Sequence, residues 1–182
     1  PLVCGLQAGI PTIDADGMGR AFPEIQMATY LFRGDVQVAP LAMVDAADNQ
    51  VVFPYTKGAV WAERLARTLA VSMGATAALA GFIMTGKQFR EYCVPYTLSL
   101  AHRLGKRVLS AQRSGEDVPQ AIADTLQGRI FFRGKITDLL RRTTKGFARG
   151  TLKLESFDGK DQLRIEFQNE FLIAYLNEKV EI

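Results

Sequence analysis

"TLKLESFDGKDQLRIEF", residues 151–167, decides the second half of the fold. Apolar and polar residues alternate on both sides of Asp158-Gly159, a two-residue turn signal of type I′. Folding the chain there sets Leu154 opposite Leu163 and Leu152 opposite Ile165, so all four share one face. Lys153 then faces Arg164, a like-charge pair that Glu155 and Glu166 can relieve diagonally. The period of two extends outward from this hairpin. Upstream, Ile130, Phe132 and Ile136 alternate with Phe131, Arg133 and Lys135; downstream, "FLIAYL" (171–176) reads as a further strand. Asn169-Glu170 interrupts the alternation, as a bulge or as a place where Glu170 faces a ligand.

Before residue 128 the periods are mixed. Pro23 opens a predicted helix carrying Ile25, Ala28, Leu31 and Phe32, which Gly34 stops. "LAMVDA" and "VVFPY" flank the turn "ADNQ" and read as a hairpin. A clear helix over 59–73 shows Trp61, Leu65, Ala66, Leu69, Ala70 and Met73 on one face, with Glu63, Arg64 and Arg67 mostly away from it. "TAALAGFIM" (76–84) reads as a buried strand, and 95–113 as a long helix. "DVPQAIADTLQ" reads as a shorter helix capped by Asp117 and closed by Gly128. The fold class is therefore α/β (mixed α and β): an α/β unit over 1–127 followed by a β-rich unit over 128–182.

The charges divide along the same line. Residues 1–127 hold 11 Lys/Arg and 11 Asp/Glu, whereas 128–182 hold 11 and 8, which carries the whole net +3. That charge does not argue for nucleic acid. The local excess over 129–149 suits a solvated strand face, an acidic partner or phosphates. Apolar residues at 48% exclude disorder as the main state. Cys4 and Cys93 are too few for a disulfide framework, which points to a reducing, cytoplasmic setting. A single histidine, His102, falls near the apolar stripe of the long helix and rules out a His-rich zinc site. The most apolar run, 70–84, is short and broken by Ser72, Gly74, Thr76 and Gly81, so no membrane span is expected.

The chemistry concentrates in "IDADGMGRAFPE", residues 13–24, after the short predicted strand "PTIDA". Asp14 and Asp16 lie near the carboxyl end of that strand, where open α/β sheets bind ligands. Gly17 and Gly19 allow unusual backbone angles and close approach, Arg20 can hold a carboxylate or imide oxygen, and Glu24 sits beside Pro23. The carboxylates could bind a divalent cation, or one could serve as a general base tuned by its twin and Arg20. A local brace, with Asp16 capping a turn and Arg20 neutralising the acids, fits the spacing equally well.

The longer stretch "AGIPTIDADGMGRAFPEIQM" resembles the hallmark of the S-methyl-thiohydantoin desulfurase family, proteins associated with hydantoinase and oxoprolinase systems. "AERLARTLAVSMGATAALAGFIMTG", "LSLAHRLGKRVLSAQ", "FFRGKITDLLRRTTKGFARGTLKLES" and "FQNEFLIAYL" are similar to further parts of that family, so the likeness runs along nearly the whole chain. The resemblance implies a hydrolase-like enzyme that desulfurises or opens a hydantoin- or thiohydantoin-type cyclic amide, with a divalent metal such as zinc. It also implies a site at Asp14, Asp16, Arg20 and Glu24, with Asp14 and Asp16 as metal ligands. Gly17, Gly19, Asn169 and Glu170 would contact substrate. Family members are longer, which implies a glycine-rich segment before Pro1 and more β structure after Ile182. The competing expectation is a non-catalytic binding or assembly domain that uses the basic β-rich unit as its contact surface; a homo-oligomer is a separate partner expectation.

Overall fold

A computed structural model describes residues 2–181. The turn "ADNQ" does close a hairpin: β2 (Leu41–Val44) and β3 (Gln50–Phe53) pair antiparallel, Leu41 opposite Phe53. The Asp45 carboxylate ties the turn by accepting from Ala47 N, Asn49 N and Asn49 Nδ2. β4 (Ala78–Ala80) adds on the other side of β2, giving the order β3-β2-β4. This strand is shorter than the predicted 76–84 and exposed at all three residues, because it forms a sheet edge.

The three strands pack on α2 (Ala59–Ser72) around a small core of Val38, Leu41, Met43, Ala62 and Ala66. Leu41 is fully buried, worth about 1.5–3 kcal/mol by area. The buried face of α2 is rotated from the predicted one. Trp61 and Leu65 are exposed, whereas Ala62, Glu63 and Ala66 are buried. Glu63 turns inward because it is fully engaged: it accepts from Ile25 N at 2.9 Å and from Arg67 Nε at 2.8 Å.

The predicted helix after Pro23 is two 3-10 turns, Ile25–Met27 and Thr29–Leu31, separated by extended Ala28. Tertiary acceptors take the backbone donors that a helix would need: Ile25 N goes to Glu63 and Thr29 N to Gly17 O. The apolar spacing of three fits either helix type.

α3 (Gly86–Tyr92) carries a capping box between Thr85 and Gln88. β5 (Val94–Pro95) takes Pro95 out of the next helix and pairs with β1 (Ala15–Asp16). α4 (Thr97–Ser114) packs on α5 (Val118–Thr125), burying Ala111, Ala121 and Ala123. Asp117 caps α5, its carboxylate accepting from Gln120 N. His102 lies exposed on α4 instead of at the core boundary. α1 (Leu2–Ala8) leads into this part of the chain.

The β-rich unit is an antiparallel meander, β10 (Lys179–Val180), β9 (Glu170–Leu176), β8 (Gln162–Gln168), β7 (Phe147–Ser156) and β6 (Gly134–Thr144), in that spatial order. The predicted register holds: Leu154 faces Leu163, Leu152 faces Ile165 and Lys153 faces Arg164. The like charges are relieved in part as expected, Arg164 pairing with Glu166, and in part by other carboxylates, Glu178 for Arg164 and Asp138 for Lys153. The turn type differs. Only Gly159 has a positive φ at the β7–β8 turn, and Gly159 N donates to Ser156 O, which is a type I turn with glycine in the left-handed position. The I′ geometry occurs instead between β6 and β7, where Lys145 and Gly146 both have positive φ.

Candidate active site

The stretch 13–24 forms little regular structure, and its shape comes from where its side chains anchor. Asp14 serves α4. Its Oδ1 accepts from Leu98 N and Ser99 N at 2.9 and 3.1 Å, and its Oδ2 accepts from Ser99 Oγ at 2.5 Å. Tyr96, at the N-cap position, supplies no side-chain bond, so Asp14 caps the helix from another part of the chain. The Ser99 hydroxyl and N–H groups hold the Asp14 carboxyl below its ordinary range.

Asp16 shapes the glycine loop. Oδ1 accepts from Met18 N and Gly19 N, both at 2.6 Å. Partial burial pushes its carboxyl up, but the Gly19 and Met18 N–H groups outweigh this and hold it below the ordinary value. The Thr97 hydroxyl also favours the anion, although it is buried and closes no hydrogen bond. Oδ2 accepts no hydrogen bond from the described residues.

Gly17 is required by contact rather than by φ. A Cβ there would sit 2.3 Å from Tyr30 Cζ and 2.6 Å from its hydroxyl oxygen. The Tyr30 ring crosses this backbone and meets Phe82 edge to face, centroids 5.2 Å apart. Burial, with Cys93 and Asp16 beside it, pushes Tyr30 up to about 12. Burial and Asp16 likewise raise the Cys93 thiol, so it remains protonated and a poor nucleophile at neutral pH. Gly19 takes φ +73°, with its α-carbon facing Val94.

Arg20 reaches across the molecule. Nη2 donates to Phe171 O at 2.7 Å and Nε to Ala21 O at 3.1 Å, while the guanidinium lies 4.9 Å from the Phe22 ring centre. No carboxylate pairs with it among the described residues. Glu24 points to the same corner of the meander: Oε1 accepts from Gln168 Nε2 at 2.8 Å and Oε2 from Gln26 Nε2.

The corner itself is made by Asn169, at φ +59°, whose N–H and Oδ1 both bond Ala148 and so extend the β7–β8 ladder by one step. Glu170 follows, with Oε2 buried and unpartnered among the described residues. The opening stretch and the 168–171 corner are thus in contact, although about 150 residues separate them in sequence.

Asp16, Gly17 and Arg20 line one cleft of about 620 Å³. Its other walls are Met18, Ile25, Ala28, Tyr30, Phe82, Met84 and Phe89, with Leu79 and Ala80 from β4 and Gly81 just after it. Asp14 lies outside it, and Glu24 lines a separate cleft. The volume is that of a small-molecule site, and the wall is mostly apolar with a few converging polar groups. Three of those groups carry no hydrogen bond among the described residues: Asp16 Oδ2, the Tyr30 hydroxyl and Arg20 Nη1. Sequence reasoning missed Tyr30 and Phe82. The signal available was Gly17, since a glycine without a positive φ marks close approach of another group.

Family models match the chain along its length. The S-Me-THD-like N-terminal domain matches residues 1–55 and the S-Me-THD-like C-terminal domain matches residues 57–182. The chain belongs to the S-Me-THD-like family. The two family domains meet in the loop between β3 and α2, while the change from helices to long strands comes after α5. No curated protein and no solved structure matches the chain.

A divalent metal does not fit the donors present. Asp14 spends both oxygens on α4, and Asp16 spends one on its own loop. No group of three or more His, Cys, Asp and Glu side chains able to hold an ion occurs among the described residues. No helix among them is long and apolar enough to cross a membrane.

Proposed function

We propose that the Asp16–Arg20 cleft binds a hydantoin- or thiohydantoin-type cyclic amide, and that the chain is part of an enzyme that removes sulfur from such a ring or opens it. One observation carries this reading: an anion, a phenol and a cation, each with hydrogen-bonding capacity left among the described residues, line one largely apolar cleft of small-molecule size. Membership of the S-Me-THD-like family supports the same substrate class.

In desulfurisation, water adds to the ring carbon that bears the S-methyl group and the C–S bond breaks. One water proton ends on the ring nitrogen and the other on the departing thiolate, giving a hydantoin and methanethiol. Arg20 Nη1 stabilises the charge that develops on the ring oxygen or nitrogen. The Tyr30 phenol, kept protonated by its raised pKa, donates a hydrogen bond. Asp16, with its carboxyl held low, is a weak base and serves better to orient water or a ring N–H than to remove a proton outright. Asp14 supports the cleft indirectly by fixing α4 against β1, and Glu24 supports it by locking the 168–171 corner.

The test is thiol release from an S-methyl-thiohydantoin by the protein and by its Asp16→Asn and Arg20→Met variants. Losses of about 10²-fold or more in kcat/KM are expected for each. Unchanged turnover in both would remove the cleft from the reaction. A non-catalytic assembly role has one observation in its favour: β6 is an edge strand with Ile136, Leu139 and Leu140 largely exposed.

A further inference from the structure

A second cleft, about 790 Å³, lies between α2 and the β6–β7 turn. Four cationic side chains line it: Arg64 and Arg67 from α2, Lys145 from the turn and Arg149 from β7. Glu24 and Glu63 supply the only carboxylates among its lining residues; Glu24 is bound to Gln168, and Glu63 to Ile25 N and to Arg67, whose charge it offsets. Arg64, Lys145 and Arg149 form no salt bridge and no side-chain hydrogen bond among the described residues.

The cations are held together by the fold. Gly146 is wedged against α2: a Cβ there would lie 2.8 Å from Arg67 Cδ and 3.2 Å from Val71 Cγ2. Its φ of +80° and that of Lys145 at +53° make a tight turn that delivers Lys145 beside the helix. Buried Phe147 follows, and the guanidinium carbons of Arg67 and Arg149 stand 4.3 and 5.5 Å from the centre of that one ring. Gathering like charges around a concavity is unfavourable unless an anion enters; Arg67 already gives Nε to Glu63 and Nη2 to Pro23 O, so Arg64, Lys145 and Arg149 are the groups left to donate to its oxygens.

We infer that this cleft is an anion site that takes a phosphate group. It is separate from the Asp16–Arg20 cleft, which shares none of its lining residues. The segment 23–25 lies between them: Pro23 O accepts from Arg67 Nη2, and Ile25 lines the first cleft. A bounded concave site with a few unpaired cations among the described residues suits a compact phosphate better than an extended polyanion.

The test is calorimetric titration of the protein with inorganic phosphate and with pyrophosphate, beside co-sedimentation with phosphatidate vesicles to separate a free phosphate from a lipid headgroup. Saturable binding with Kd of about 0.1–1 mM is expected, weakening as salt rises. Lys145→Ala and Arg149→Ala should each weaken it roughly tenfold, while Arg149→Lys retains most of it. Asp16→Asn should bind as the unaltered protein does, which separates this site from the proposed catalytic one. The inference fails if neither anion binds saturably and vesicles do not sediment the protein, or if Lys145→Ala and Arg149→Ala both bind undiminished.

Discussion

Gly17→Ala probes the cleft at its tightest point. The new Cβ would lie 2.3 to 2.6 Å from three atoms of the Tyr30 ring, far inside van der Waals contact. The ring cannot yield freely, because it packs edge to face with Phe82 and the preceding residue is tied down, Thr29 N donating to Gly17 O at 2.7 Å. Overpacking of this kind costs about 1–3 kcal/mol. Losing the edge-to-face pair adds about 0.5–1.5 kcal/mol. The lower entropy of an unfolded Ala chain offsets about 0.4–1 kcal/mol. The net expectation is a destabilisation of about 1–3 kcal/mol. Urea unfolding followed by circular dichroism reads it, and a cycle with Tyr30→Leu assigns it. Removing the ring should make Gly17→Ala nearly neutral, with a coupling energy of about 1–3 kcal/mol. If Gly17→Ala lies within about 0.5 kcal/mol of the unaltered protein, the ring does not cross that backbone as described.

Asp14→Ala should lower stability in the same urea assay by uncapping α4, with Asp14→Asn milder because it keeps an acceptor. The Asp14 and Asp16 carboxyls are both held low in the folded protein, so their stabilisation is present above the unfolded value near pH 4 and is lost as pH falls through their folded values. Acid unfolding monitored in Asp14→Asn should therefore have a shallower pH slope. Tyr30 runs the other way, since its neutral form is favoured: its contribution is complete below about pH 10 and fades as pH rises through about 12, which phenolate absorbance against Tyr30→Phe will follow. Arg67→Ala leaves buried Glu63 without its partner and should cost about 2–3 kcal/mol in the same urea assay, below the range for a fully buried pair because Arg67 keeps part of its surface in water.

How much of this was written in the sequence varies by element. The β7–β8 register was legible because Leu152, Leu154, Leu163 and Ile165 share a face, and a one-residue slip would expose them all. The turn type was not, since Asp-Gly serves both I′ and type I geometries and Ser156 decided between them by accepting from Gly159 N. α2 was legible in extent but not in rotation: the pattern placed Trp61 inward, whereas the Glu63–Arg67 pair and Ile25 N drew the other face to the core. Asp16, Gly17 and Arg20 were singled out together and do share a cleft. That Asp14 serves α4, 84 residues away, depends on a contact that no local pattern reports. Tyr30 and Phe82 escaped notice for the same reason, because each reads as an ordinary apolar residue until the fold places it.

The cleft assignment can be tested through the protein's own methionines. Met18 and Met84 line the Asp16–Arg20 cleft, whereas Met43 sits in the core cluster and Met73 packs against it. Carbon-13 methyl spectra recorded while an S-methyl-thiohydantoin is added should move Met18 and Met84 together, saturably, and leave Met43 and Met73 in place. Saturable shifts at Met43 or Met73 with Met18 and Met84 still, or no shift at substrate concentrations that support turnover, would contradict the account.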